Sequence, residues 1–253
     1  MALKFSLIIA TLNAGKRLER ALSSIFGQTW PEYEVIVQDG GSDTLDLPAR
    51  YAGRVSLSSA PDCGIYDAWN RAVERASGDW GLFLGADDRL LDVDVLARCA
   101  RHLETLPEGI VFAYGDLIEG SGFWRRFLIR RSLRTVYTMM TDTIGLPFPS
   151  TFTRMSALKT HRFDTSFRIA GDHEFTARLV TADNVARLPV AVTFMGAGGI
   201  SDSSAQAALL REERVRVLNS RTLEKAREIV AGCIRHRDER PWFSRPKRLW
   251  PWD

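Results

Sequence analysis

Two aspartates stand side by side at positions 87 and 88, directly after the apolar run WGLFLGA. Adjacent carboxylates at the end of a strand repel each other unless a cation or a set of donors lies beside them. Mg2+ or Mn2+ is the natural partner, because these hard ions take one or two protein carboxylates and leave their other positions to phosphate oxygens and water. The chemistry indicated is neutralisation of a leaving diphosphate. Other apolar runs also end in polar residues: the first in Thr11 and Asn13, the second in Asp39 followed by Gly40-Gly41-Ser42-Asp43, a later one in Asp116. Loop Asp, Gly and Ser are common turn formers one by one. It is their recurrence at successive run ends that makes a site.

The elements that would position these residues alternate in type. Residues 5–10 read as a strand, and Leu18, Ala21, Leu22, Ile25 and Phe26 fall at helical spacing before Gly27 and Pro31. Strands follow at 33–38 and 55–57, then a helix whose apolar face is Ile65, Ala68, Trp69, Ala72, Val73 and Ala76, then a strand at 80–84. A helix at 93–106 and a strand at 110–114 continue the pattern. Such alternation predicts an α/β fold with a mainly parallel, Rossmann-like sheet flanked by helices. In such sheets ligands bind beyond the carboxyl ends of the strands, where the polar residues collect. The alternation is lost over 116–150, which is expected to supply loops or short elements shaping a pocket. Further on, 172–180 reads as a helix after a break at Gly171, 190–195 as a strand, and 205–235 as one or two basic amphipathic helices. The organisation expected is a catalytic domain over 1–200, with a nucleotide half to about 116 and an acceptor half beyond it, and a helical, basic and aromatic tail over 201–253.

Composition narrows the class. Of 253 residues 45% are hydrophobic and 26% charged, which fits a globular chain and excludes a wholly disordered or membrane-embedded one. The three cysteines, Cys63, Cys99 and Cys233, have neither disulfide-framework nor zinc spacing, so a reducing, cytoplasmic setting is expected. The apolar run near the N-terminus is too short to span a membrane and leads into a turn, not a cleavage site. Neither GxGxxG after the first strand nor GxxxxGK[ST] anywhere is present, which demotes dehydrogenase and P-loop readings.

Several segments together resemble family 2 glycosyltransferases of the GT-A fold, of the bacterial surface-polysaccharide type. SLIIATLNAG resembles the family's opening strand and turn, QTWPEYEVIVQDGGSD its second strand, and DCGIYDAWNRAVERASGDWGLFLGADD its central signature through the paired acids; IAGDHEFTARL resembles its later acidic segment. The resemblance implies an inverting, hexosyltransferase-like enzyme that moves a sugar from a nucleoside-diphosphate donor to a saccharide or lipid-linked acceptor. It implies that Thr11 and Asp39 line the nucleoside pocket, and that Asp67 and Asn70, on the exposed side of their helix, reach the donor; Asn13, at the end of the first strand, is expected to bind the donor with them. Asp87 and Asp88 match the acids that hold metal and donor, with Asp88 the preferred direct ligand, although the family pattern is often Asp-X-Asp and here Arg89 follows. Inverting transfer needs a base for the acceptor hydroxyl. Asp172, at a helix start that favours its ionised form, matches the family's acidic position; Glu174 is the alternate, and His173, flanked by both, ranks third. Gly198-Gly199-Ile200-Ser201 resembles a loop near the diphosphate.

One departure stands out: relatives often carry His-Gln where this chain has Pro149-Ser150. The net charge is only +3, yet arginines crowd at 125, 126, 130, 131 and 134, and Phe123-Trp124 and the tail WFSRPKRLWPWD add aromatics. Trp and Arg suit a headgroup interface, so peripheral binding to the anionic inner face of the cell membrane is expected; packing of these aromatics on the catalytic domain is the equal alternative. No nucleic acid is expected as partner. The rival functional classes are a nucleotidyltransferase and a non-catalytic nucleotide-sugar-binding protein.

Overall fold

The run FSLIIAT is apolar on both faces, and the chain buries it at the middle of a sheet. Phe5, Leu7 and Ile9 point into one hydrophobic cluster and Ile8 into the other, as the two-residue period of a strand requires. The computed structural model describes residues 2–43, 45, 47–120, 146–181, 183–196 and 206–219.

In chain order the elements are β1 (Phe5–Thr11), α1 (Lys16–Phe26), β2 (Tyr33–Asp39), β3 (Ser56–Ser59), α2 (Ile65–Arg75), β4 (Trp80–Gly85), β5 (Arg89–Leu90), α3 (Val95–Leu103), β6 (Phe112–Gly120), β7 (Thr151–Arg154), α4 (Met155–Thr160), α5 (Gly171–Leu179), β8 (Val185–Gly196) and α6 (Ala207–Asn219). The sheet order is β3-β2-β1-β4-β7-β6-β8-β5. β3, β2, β1 and β4 are mutually parallel, β6 and β8 are parallel, and β7 runs against both neighbours between the two groups. The mainly parallel α/β architecture read from the sequence is therefore observed.

Helices cover both faces. α1 and α3 press Leu18, Leu22, Ile25, Leu96, Cys99 and Leu103 onto one side. On the other, α2 lays Tyr66, Trp69, Ala72 and Val73 over Ile8, Ile36 and Phe83, beside Met155 of α4, Phe175 of α5 and Val217 of α6. Trp69 stacks on Phe148, and Phe163 on Phe175. Each fully buried side chain of this size contributes about 1.5–3 kcal/mol relative to exposure, so this second face is held mainly by aromatics.

Several expectations are corrected. β6 does not end at Tyr114 but continues to Gly120, so Asp116 lies inside a strand, at a register irregularity against β8. β8 starts at Val185, five residues before the expected strand. β7 and α4 fall where no regular element was anticipated, because the PFP segment before them masks a strand of only four residues. Gly171 opens α5 instead of breaking before it. α6 falls within the segment expected to be helical, and packs Val217 and Glu213 against the domain. Among the described residues no helix is long and apolar enough to cross a membrane.

Candidate active site

The ends of three adjacent strands set out the first part of the site. Register pairs Thr11 of β1 with Asp39 of β2, and Ala10 of β1 with Gly85 of β4. At a strand spacing of about 4.8 Å, the row from Asp39 to Gly85 is roughly 10 Å wide.

At the β2 end, Asp39 is buried and saturated with donors. Its Oδ2 accepts from the Gly41 and Ser42 N–H groups (3.1 and 2.8 Å) and from Ser59 Oγ (2.7 Å), and its Oδ1 accepts from Ser42 Oγ (2.5 Å). Burial pushes this carboxyl up, but the hydrogen bonds from Ser42, Ser59 and Gly41 outweigh it and hold Asp39 below the usual carboxylate range. Asn13, the one non-glycine residue with positive φ (51°) among those described, donates its N–H to Ser42 Oγ (2.7 Å) and accepts at Oδ1 from the Asp43 N–H (3.3 Å). Short polar side chains tolerate this left-handed conformation. The loops after β1 and β2 are thereby tied together. Thr11 Oγ1 is buried beside them without a hydrogen-bond partner.

At the β4 end, the chain turns so that the Asp88 N–H donates to Gly85 O (3.1 Å) while Asp88 Oδ2 accepts from the Gly85 N–H (2.8 Å). A Cβ on Gly85 would lie 2.9 Å from Asp87 Oδ1 and 3.0 Å from Asp88 Oδ2. Both carboxylates thus occupy the space over one glycine, and a side chain at position 85 would displace them. Two like charges brought this close fit a hard divalent cation, with diphosphate oxygens and water completing its shell. Among the described residues no third Asp, Glu, His or Cys joins them in a ligand set.

The residues expected to supply the base lie at the start of α5. Asp172 Oδ1 accepts from the Tyr66 hydroxyl of α2 (3.2 Å) and from the His173 N–H (2.9 Å). That hydroxyl has a single proton, which it shares with Ile169 O, the nearer acceptor (2.6 Å). Burial first, and the neighbouring Asp172 charge second, push the Tyr66 phenol well above its ordinary value, so it stays a proton donor. Glu174 is turned along the helix into a two-point ion pair with Arg178 (2.8 and 3.2 Å). His173 Nδ1 is buried without a partner.

Three residues make contacts that the sequence reading did not anticipate. Asn70 is not on the exposed side of α2: it is 8% exposed, its Nδ2 donates to Phe163 O (3.0 Å) and its Oδ1 accepts from the Phe163 N–H (2.9 Å). Its amide ties α2 to the segment before α5. Asp67 accepts from the Cys63 N–H (3.1 Å) and pairs with Arg71 (2.8 Å), closing the first turn of α2. Asp116 pairs with Arg187 at 3.1 Å within the sheet. Ser59, Tyr66 and Glu213 go unremarked in the sequence, and Ser42 is noted there only as part of the turn after Asp39. Only Ser42, inside the DGGSD turn, carried a signal that could have found it. The arginine cluster at 125–134, Phe123-Trp124, the 198–201 loop and the aromatic tail lie outside the described residues.

Comparison with known proteins agrees with this architecture. The profile described as Glycosyl transferase family 2 matches residues 6–166. A "PGL/p-HBAD biosynthesis glycosyltransferase" of Mycobacterium bovis is 44% identical over 128 residues, 48% of this chain and 49% of that protein; the match thus spans about half the length of such relatives. An uncharacterized glycosyltransferase of Mycobacterium tuberculosis is 31% identical over 183 residues, covering 68% of this chain and 67% of its own. Among solved structures, Staphylococcus aureus TarS 1–349 in complex with UDP-GlcNAc superposes with a TM-score of 0.67 at 21% identity, covering 92% of this chain and 72% of that one. The mannosyltransferase PcManGT of Pyrobaculum calidifontis, in complex with GDP-Man and Mn2+, gives 0.67 at 16%, covering 92% and 69%. At such identities the likeness is one of fold, and the fold is the GT-A type.

Proposed function

Because the chain belongs to glycosyl transferase family 2, we propose that it moves a sugar from a nucleoside-diphosphate donor to a saccharide or lipid-linked saccharide acceptor, with inversion, in the assembly of cell-surface glycans. The observation that carries this reading is the row across β2, β1 and β4. A donor-saturated Asp39 beside the unpartnered Thr11 hydroxyl stands roughly 10 Å from two carboxylates converging on Gly85. That separation suits a nucleoside at one end and its diphosphate at the other. Asp87 and Asp88 would hold Mg2+ or Mn2+, which when bound neutralises the departing diphosphate. Neighbours of the same fold were solved with UDP-GlcNAc and with GDP-Man and Mn2+, which supports the donor class and the cation.

Two roles fall to the chain's own residues. Asp39 and the loops tied by Asn13 and Ser42 fix the nucleoside end. Asp172, oriented by Tyr66, takes the proton from the acceptor hydroxyl as it attacks the anomeric carbon. Glu174 is already neutralised by Arg178, so the base role goes to Asp172.

A thermal-shift panel of UDP-GlcNAc, GDP-mannose and dTDP-glucose, with and without Mn2+, tests the donor assignment. One nucleotide sugar should raise the melting temperature in a Mn2+-dependent way, since a ligand at 100 times its Kd adds about 2.7 kcal/mol. Asp88→Ala should abolish both the Mn2+-dependent shift and Mn2+-dependent release of nucleoside diphosphate. Undiminished turnover in that variant, or pyrophosphate release from a nucleoside triphosphate instead, would sink the proposal.

A further inference from the structure

Glu213 projects from α6 into the domain and is only 4% exposed. A carboxylate so buried needs donors, and it has three successive ones. Oε1 accepts from the Arg168 N–H (2.6 Å), and Oε2 accepts from the Ile169 and Ala170 N–H groups (2.9 and 2.8 Å). These are the last peptides before α5, which carries Asp172 in its first turn. The helix provides no cap of its own, because Ala170 at its N-cap has no side-chain acceptor. Glu213 does not cap the helix itself but ties down the three peptides leading into it, near the end where the helix dipole favours negative charge.

The same turn is held from the opposite side. The Ile169 peptide donates its N–H to Glu213 and its carbonyl accepts from Tyr66, whose hydroxyl also reaches Asp172. One turn beyond Glu213, Arg216 reaches Asp164 (3.4 Å) and lies 3.7 Å over the Phe167 ring. A single face of α6 therefore grips the whole approach to α5. We propose that Glu213 is a positioning residue: by clamping the turn 168–170 it sets where the Asp172 carboxylate points. This rests on the reading of Asp172 as the base. Displacement of a reacting group by about 1 Å can cost on the order of 100-fold in rate, so the role should appear in kcat.

Glu213→Gln keeps the shape but replaces one acceptor oxygen by an N–H2 that faces backbone N–H groups. Nucleoside diphosphate release is measured with the donor selected by the thermal-shift panel, using octyl and p-nitrophenyl glycosides and water as acceptors. The expected result is a kcat lowered roughly 10- to 100-fold with the donor KM within about threefold of wild type. In the Asp172→Asn background the same change should cost nothing more. Amide hydrogen exchange at 168–170 should quicken, while that at Gly41 and Ser42 does not. If Asp172→Asn is slow but Glu213→Gln turns over normally, or its loss multiplies fully with that of Asp172→Asn, the positioning role is overturned and the base stands. If Asp172→Asn turns over normally, the base assignment falls and the positioning role with it. Should Glu213→Gln fail to fold, Tyr66→Phe releases the same peptide from its carbonyl side. It should then give the same kcat-selective, non-multiplying loss, and normal turnover or a multiplying loss in that variant overturns the inference.

Discussion

Asn70 illustrates how a polar side chain on a helix can tie down the backbone of another segment. Its two amide ends close a two-bond bracket on the Phe163 peptide, next to the ring that stacks on Phe175. Replacing it by alanine leaves a buried N–H and a buried C=O unpaired, at about 1–3 kcal/mol for each group. Asn70→Ala should therefore lose roughly 2–5 kcal/mol of stability in urea unfolding while the affinity of the folded protein for donor and Mn2+ stays within about twofold. A large loss of donor affinity with unchanged stability would place Asn70 at the donor site. Asp39 is the converse case: its donors lie in its own turn and on the neighbouring strand, so the carboxylate is preorganised at the site before any ligand arrives.

At the scale of elements, the β1 to β4 half could be read in advance because its signals are local. β1 is apolar on both faces, α2 shows an uninterrupted 3.6-residue stripe, and DGGSD and GADD mark where strands stop. What escaped depends on where a side chain arrives. Nothing in REERVR singles out Glu213 from its charged neighbours, Asp116 looks like a strand end until β8 is seen beside it, and Asn70 looks solvent-facing until the segment carrying Phe163 covers it. The joint between α2 and α5 is another such meeting. A Cβ on Gly171 would come within 2.7 Å of the Tyr66 ring, which is packed against Trp69 and Phe163 and cannot swing away. Gly→Ala inside a helix gains up to about 1 kcal/mol in propensity, whereas overpacking costs typically 1–3 kcal/mol, so the clash should win. Gly171→Ala is expected to lower the melting temperature by a few degrees, roughly 2–4 °C per kcal/mol for a chain of this size. Gly109→Ala, with open space around it, should leave it unchanged. Equal melting temperatures for the two variants would mean that the helix joint is not tightly packed.

At the scale of the molecule, carboxylates with depressed pKa values pin three separate places among the described residues. Asp39 holds the ligand edge of the sheet. Glu34 holds the opposite edge, where Ser6 Oγ (2.6 Å), the Ser77 N–H (2.6 Å) and hydroxyl (2.8 Å) and Lys4 (3.3 Å) surround it. Asp164 holds the approach to α5, bonded by the Ser166 N–H (2.8 Å). For each, burial pushes the carboxyl up and is outweighed: by Ser6, Ser77 and Lys4 at Glu34, by Ser42, Ser59 and Gly41 at Asp39, and by Ser166, Arg216 and Arg178 at Asp164. A group whose folded pKa lies below its unfolded value releases its proton more readily in the native state, so the unfolded chain binds more protons between the two values and stability rises with pH there. The contribution is complete above the unfolded values, about 3.9 for Asp and 4.3 for Glu, and is lost as pH falls through the lower, folded ones. Unfolding free energies from urea titrations at pH 7, 5, 4 and 3 should be level over the first two and fall over the last two. Glu34→Gln, which removes one of the three without touching the ligand edge, should be less stable than wild type at pH 7, with the difference shrinking toward pH 3 as the wild-type carboxylate is itself protonated. A difference that stays constant from pH 7 to pH 3 would mean that Glu34 acts through shape alone, and that the acid sensitivity of the fold arises elsewhere.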